Sequence, residues 1–503
     1  MSSKDDVFLE EARLGPRSQV LIDCEEVPHI PRLVRRFREY VLVDLAHAVM
    51  LNETGILIKG RGAKLLGGLL EIYDSNGEGF PWLPESGSFL VQTEYYLSQR
   101  VGDDIAGRLQ TGRSRNDQSA ASERIYMRDL LLDVADETIR LQTAVLDQAT
   151  RHAETLMPGF THLQHAQPTT FGHHLMRFSA AFDRDLARLA GAYVHTNLSS
   201  LGGAAMAGTS WPVDRRMTAK LLGHDDIVVN STDAGGFARD FIEEVVAVLA
   251  QIMSNMGRLA NDLYVWHSWE FGYVEVADGL AGTSSIMPQK KNPHSLERIK
   301  SLGGQAAGWL PGVMACQHSV VSTDLDFSFA DDQLTGMGDA AIQALRLSTE
   351  TMATLIVHED RMAEAAGAFW STTSHLADEL VRRYDLPFRA AHHVVGRFVR
   401  DSITAGRTPA DVRAEDLVKA GSEMANTLIN LSVDDLRDIL DARSFLASRT
   451  TEGSVNPNET RAHHASLTTA LKDHKTQWLV RRKLADDAIV ALVDRARALA
   501  ATT

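Results

Sequence analysis

From residue 117 to residue 157 the chain contains no glycine and no proline, and Pro158 closes the run. Its apolar positions include Ile125, Leu131, Val134, Ile139, Val145 and Leu146, which share a helical period. At about 1.5 Å per residue such a helix spans roughly 60 Å. A rod of that length needs equally long neighbours, so it directs the chain toward a bundle or coiled coil. Four more stretches carry the same pattern, at about 170–198, 237–266, 295–316 and 332–357. Several are apolar on more than one face, as in "FIEEVVAVLAQIMSNMGRLANDL". Two buried faces imply neighbours on two sides, hence oligomerisation.

The fold class expected is therefore all-α, or mostly so. The 503 residues suggest about three domains. Residues 1–112 mix short helical patterns with turns, residues 113–365 hold the five long stretches, and 366–503 read as shorter helices with charged loops. Hydrophobic residues at 44% and charged residues at 23% are ordinary for a soluble protein. A net charge of −15 argues against a nucleic-acid partner, and no apolar run approaches a membrane span. The start "MSSKDDVFLEEARLG" has no apolar core, so no signal peptide is expected there. Cys24 and Cys316 have no ligand-like spacing. A disulfide framework and a zinc site are not expected, and the chain reads as cytoplasmic.

Three polar islands interrupt the helices: "TGRSRNDQ" (111–118), "PGFTHLQHAQPT" (158–169) and "GTSSIMPQKKNP" (282–293). Each sits at a helix end, where free backbone N–H groups favour anions. Each has a plain structural reading as well. Ser114 or Asn116 can cap the following helix. His162 and His165 can be satisfied polar residues at a corner, and Lys290 and Lys291 a solvated pair. An interhelical turn, however, needs one Gly or Pro, not the whole of the third island. Taken together, two Arg, an Asn, a Thr, a His and a Lys suit a dicarboxylate, which Arg grips with a bidentate fork. No metal spacing, nucleotide-binding glycine motif or Ser–His–Asp elbow stands out, so cofactor-free chemistry is expected.

At these residues the chain resembles the argininosuccinate lyase family within the fumarase/aspartase superfamily. The superfamily signature GSSxMPxKxNP reads here "GTSSIMPQKKNP", with a Thr between Gly282 and Ser284. The other two islands resemble two argininosuccinate lyase motifs. "DLAHAVMLNETGIL" near the start and "LADELVRRYDLPFRAAHHVVG" near the end extend the likeness over nearly the whole chain. The resemblance implies a three-domain subunit with a central five-helix bundle. Four subunits would form a homotetramer with a twenty-helix core, each active site assembled from three of them. It also implies β-elimination of fumarate through an aci-carboxylate dianion, with no cofactor and no metal. Ser284 then matches the general base, with its alkoxide stabilised by backbone amides and a cation. Lys290 and Asn292 match positions that stabilise the dianion. Arg113, Ser114, Arg115 and Asn116 match carboxylate-binding positions, and Thr161 and His162 would contact the succinyl part. Ser285 and Met287 belong to the same substrate-binding loop. Glu297 would orient His162, itself a candidate to protonate the leaving nitrogen.

The chain also departs from the family pattern. No W-G-G-R-F-like segment is found. An acidic D-E-D-x-H-like stretch is replaced by "ESGSFLVQTE". A Y-N-x-D-L-Q-E-D-K-like run reads "VVSTDLDFSFADDQ", keeping only Asp324 and Leu325 of its marked residues. The fumarate side is intact while the arginine side is changed. The resemblance therefore implies elimination from another N-substituted aspartate, an aminopolycarboxylate such as ethylenediamine-disuccinate. A genuine argininosuccinate lyase is the alternative.

Overall fold

The structure, a computed structural model, describes residues 17–58, 60–237, 239–317 and 328–502. Near the N-terminus lie helices α1 (Phe37–Glu53), α2 (Arg61–Ser75) and α3 (Phe89–Val101). α1 is buried on every face from Tyr40 to Leu51, which is why its apolar residues form no single stripe. Phe37, Phe80 and Phe89 stack and tilt against one another over this N-terminal core.

The long run becomes helix α4 (Arg115–Arg151, 37 residues). It does not extend to Met157 as its periodicity predicts. The chain instead turns into a hairpin of β1 (Leu156–Thr161) and β2 (Gln164–Thr170), then enters α5 (Phe171–Thr196). The cause is tertiary. α5 starts so close to the end of α4 that a Cβ on Gly172 would lie 2.5 Å from the Ala149 carbonyl oxygen. The Gly172 amide bonds to the His152 carbonyl at 2.8 Å, sealing the end of α4.

Helix α6 (Asp240–His267) follows, then the short strands β3 (Gly282–Thr283) and β4 (Lys291–Asn292). The fourth expected helix is two: α7 (His294–Ala306) and α8 (Trp309–Cys316), broken at Ala307 and Gly308. Helix α9 (Ser328–Ala353) completes the set. α4 lies along α5 and α9, and α6 along α5, α7 and α9. Their shared core includes Leu131, Val145, Phe178, Phe182, Leu249 and Ile252. The mostly helical expectation holds, and among the described residues the strands form only two-stranded ribbons.

A smaller core is buried by α10 (Thr373–Tyr384), α11 (Phe388–Thr404), α12 (Ala414–Ala425) and α13 (Val433–Leu440), around Leu380, Val394, Phe398, Leu417 and Leu436. The last segment overturns the expectation of short helices after residue 365. α14 (Pro457–Ala500) has 44 residues and leaves this small core altogether. It packs on α1, α2, α4 and α5. Leu467, Leu471 and Trp478 enter the central core, and Ile489, Leu492 and Val493 the N-terminal one. Its buried stripe is one or two residues wide per turn in an otherwise charged helix, so composition concealed it. Among the described residues no helix is long and apolar enough to cross a membrane.

Candidate active site

The first island is tied down by buried polar groups. Ser114 caps α4, its hydroxyl accepting from the Asn116 amide at 3.3 Å, while the Ser114 amide donates to Asp117 at 2.8 Å. The second Asp117 oxygen accepts from the Gly202 and Ala204 amides at 2.9 and 3.0 Å. One buried carboxylate thus joins the helix start to the "LGG" turn at 201–203. Arg113, expected to grip a carboxylate, has no side-chain exposure and pairs with the equally buried Asp44 at 2.7 Å. Within the chain it supports the island from beneath instead. His47 bonds the Thr111 carbonyl at 2.9 Å from the same side, and burial, then the charge of Arg113, hold its pKa well below the usual value. Arg115 and Asn116 do reach a cleft, shared with Glu25, Glu26, His29, Arg32 and Arg239.

The second island is the β1–β2 hairpin. Thr161 pairs with Gln164, leaving His162 and Leu163 as its two loop residues. Both have positive φ, 54° and 58°, a conformation natural to Gly or Asn in such turns. Both side chains are exposed, Leu163 by 71%. The backbone strain is therefore spent on pushing a histidine and a leucine away from their own chain. His165 turns inward against Phe160 and Phe369, and burial lowers its pKa.

The third island is closed at its base by β3 and β4, with Gly282 opposite Asn292 and Thr283 opposite Lys291. A Cβ on Gly282 would lie 1.9 Å from Cε1 of His294, so a larger residue there would displace that exposed ring or the loop base. Half-buried Ser284 follows. Its hydroxyl oxygen accepts from the amides of Ile286 and Met287 at 3.3 and 3.1 Å. Two N–H dipoles aimed at one oxygen favour its anionic form. Lys291 bonds Glu275 at 2.5 Å and Asp278 at 2.6 Å. Its slight burial lowers its pKa, and these two bonds outweigh that and raise it. Lys290, next in the loop, is exposed and has no ion pair among the described residues. Ser285 and Met287 are exposed, Asn292 half-buried. Exposed Glu297, in the first turn of α7, accepts from the Tyr264 hydroxyl at 3.3 Å within the chain.

A family model described as "Lyase" matches residues 47–308, and one described as "Argininosuccinate lyase C-terminal" matches 370–447. An argininosuccinate lyase of Methanocaldococcus jannaschii is 37% identical over 84% of this chain and 86% of its own length. The chain belongs to the argininosuccinate lyase family. Within the fumarase/aspartase superfamily that makes it a carbon–nitrogen lyase releasing fumarate. EDDS lyase in complex with formate is 30% identical, with a TM-score of 0.87 over 100% of this chain and 99% of that one. An EDDS lyase variant with bound fumarate is 31% identical, with a TM-score of 0.86 over 97% of both chains.

In this family member the second and third islands lie at the same end of the bundle. Phe160 of the hairpin meets Phe271 and Tyr273, on the segment leading to the third island. The first island lies at the other end of α4, whose 37 residues span about 55 Å. One chain therefore does not bring Arg115 and Asn116 to Ser284 and His162. The sequence reading missed the residues that share each cleft. Glu25, His29, Arg32 and Arg239 come to Arg115 from distant segments, with no motif to mark them. Tyr264 and His267 line the cleft of Lys290 and Asn292, hidden within the helical pattern of α6. Asp324 and Leu325 lie outside the described residues. Among the described residues no group of His, Cys, Asp and Glu is arranged to hold a metal ion.

Proposed function

We propose that this lyase eliminates fumarate from an N-substituted aspartate of the aminopolycarboxylate type, such as ethylenediamine-disuccinate, and works as a homotetramer. The observation that carries the catalytic part is the pair of backbone amides on the Ser284 hydroxyl. Ser284 acts as the base, its alkoxide held by those amides. Lys290, with no ion pair among the described residues, and Asn292 stabilise the aci-carboxylate dianion. Ser114, Arg115 and Asn116 hold the substrate carboxylates, with Arg113 buried behind them as support. Thr161 and His162 meet the succinyl part, Glu297 orients His162, and Ser285 and Met287 close over the substrate with the loop. The length of α4 supports the tetramer: an antiparallel neighbour would bring its first island to the third island of this chain, and a further subunit would supply the hairpin of the second. The exposed, strained tip at His162 and Leu163 supports it too.

Argininosuccinate is the second reading, favoured by two observations. The Methanocaldococcus jannaschii relative is an argininosuccinate lyase. Glu25 also stands in the cleft of Arg115, beside the Arg17–Glu26 ion pair, supplying a carboxylate that a guanidinium needs. The test is kcat/KM for fumarate release, followed by ultraviolet absorbance, over argininosuccinate, ethylenediamine-disuccinate and other N-substituted aspartates. A wide margin for argininosuccinate would overturn the first reading in favour of the second. No fumarate from any of them would overturn both.

A further inference from the structure

We propose that Tyr264 is a positioning residue for this reaction, its hydroxyl fixing the Glu297 carboxylate that orients His162 of a neighbouring subunit. The inference rests on the role of Glu297 given above. Tyr264 stands in the last turn of α6 and Glu297 in the first turn of α7, two helices packed along each other. A glutamate on an exposed first turn explores several rotamers, and ordering it costs side-chain entropy. The Tyr264 hydroxyl bonds Oε1 at 3.3 Å. That leaves Oε2 without a partner among the described residues, and available to an imidazole.

A second contact prepares the phenol. Lys300 lies three residues beyond Glu297, one turn along the same face of α7. Its Nζ sits 3.6 Å above the centre of the Tyr264 ring. A cation over the ring face holds the ring in place and draws electron density from it, which strengthens the hydroxyl as a donor. Tyr264 is thus gripped by the same helix that carries the carboxylate it fixes. Tyr264 and Glu297 line the cleft of Lys290 and Asn292, so they are part of the site's wall. The other titratable groups in that cleft are His267, Glu275, Lys291, His358, Glu359, Asp360 and Arg361.

The experiment compares Tyr264→Phe, Glu297→Gln and the double variant in the assembled enzyme, with the best substrate from the panel. Phe keeps the ring and its contact with Lys300 and removes only the hydroxyl. We expect kcat to fall about tenfold, the scale of one hydrogen bond to a charged group, with KM within about twofold. The descending limb of the kcat/KM profile should move to higher pH, because a carboxylate that loses a donor holds the protonated imidazole, the form that acts as acid, more strongly. Glu297→Gln alone should cost more, and adding Tyr264→Phe to it should cost nothing further. A near-parental Tyr264→Phe beside an impaired Glu297→Gln overturns the inference and leaves the role of Glu297 standing. A near-parental Glu297→Gln overturns that role and the inference with it. Additive losses, or a lower melting temperature with an unmoved pH limb, show Tyr264 acting only through packing and also overturn it.

Discussion

Arg113 and Asp44 form an ion pair at 2.7 Å in which neither side chain has any solvent exposure. Asp44 also accepts from Gln118 at 2.6 Å, so one carboxylate joins α1 to both sides of the first island. Removing one partner strands a buried charge. Asp44→Ala should lose about 3–5 kcal/mol of stability, read from the denaturant midpoint. Replacing both residues, Asp44→Leu with Arg113→Met, should cost clearly less. A double variant as unstable as the single would show that the pair's mutual charge is not what matters.

Glu94, on α3, faces this pair. Burial pushes its carboxyl up from 4.5 to about 7, against the pull of Arg113 and with Asp44 adding to the rise. Between those values the folded chain holds a proton that the unfolded chain has released. The contribution of this group to stability is therefore complete at low pH and is lost as pH rises through about 7. Glu94→Gln does not titrate. Its melting temperature should match the parent near pH ~5 and exceed it by pH ~8. A difference that stays constant with pH would refute the assignment.

Ser284→Ala removes the oxygen held by the Ile286 and Met287 amides. Turnover should fall by about 10²–10³ or more, with melting temperature and oligomeric state unchanged. Near-parental turnover in the pure variant would rule Ser284 out as the base.

Gly282→Ala places a methyl group inside the His294 ring. Either the exposed His294 ring or the base of the loop must then shift, and where the loop gives way kcat/KM should drop about tenfold or more. Adding His294→Ala clears the space and should restore part of that loss. If the second change restores nothing, the collision is not what limits the loop.

Ser284 and His162 are expected to serve one site from different subunits. Mixing the two inactive variants under conditions that exchange subunits should regenerate activity, because some sites receive both parental residues. Light scattering of the parent should report four chains. An active monomer, or mixtures that stay dead despite proven exchange, would exclude shared sites.

Local chemistry by itself determined much of this protein. Side-chain periodicity at 3.6 residues is written into the chain, so the long stretches around Leu131, Phe182 and Ile252 read as helices before any packing is known. The islands were equally legible, since Ser284, Lys290 and Asn292 fall within nine residues of one loop, and Ser114 caps a helix by a bond to its own neighbours. Other features depend on residues far apart in the chain, and only the tertiary structure decided them. α4 stops at Arg151 because α5 begins against its end at Gly172. Arg113 is buried because Asp44, on another helix, lies beneath it. α14 joins the central and N-terminal cores because its thin stripe meets α1, α2, α4 and α5, a match no single segment contains. The same holds for the site: local sequence places each island at a helix end, but the rigid span of α4 sets two of them against the third at opposite ends of the bundle.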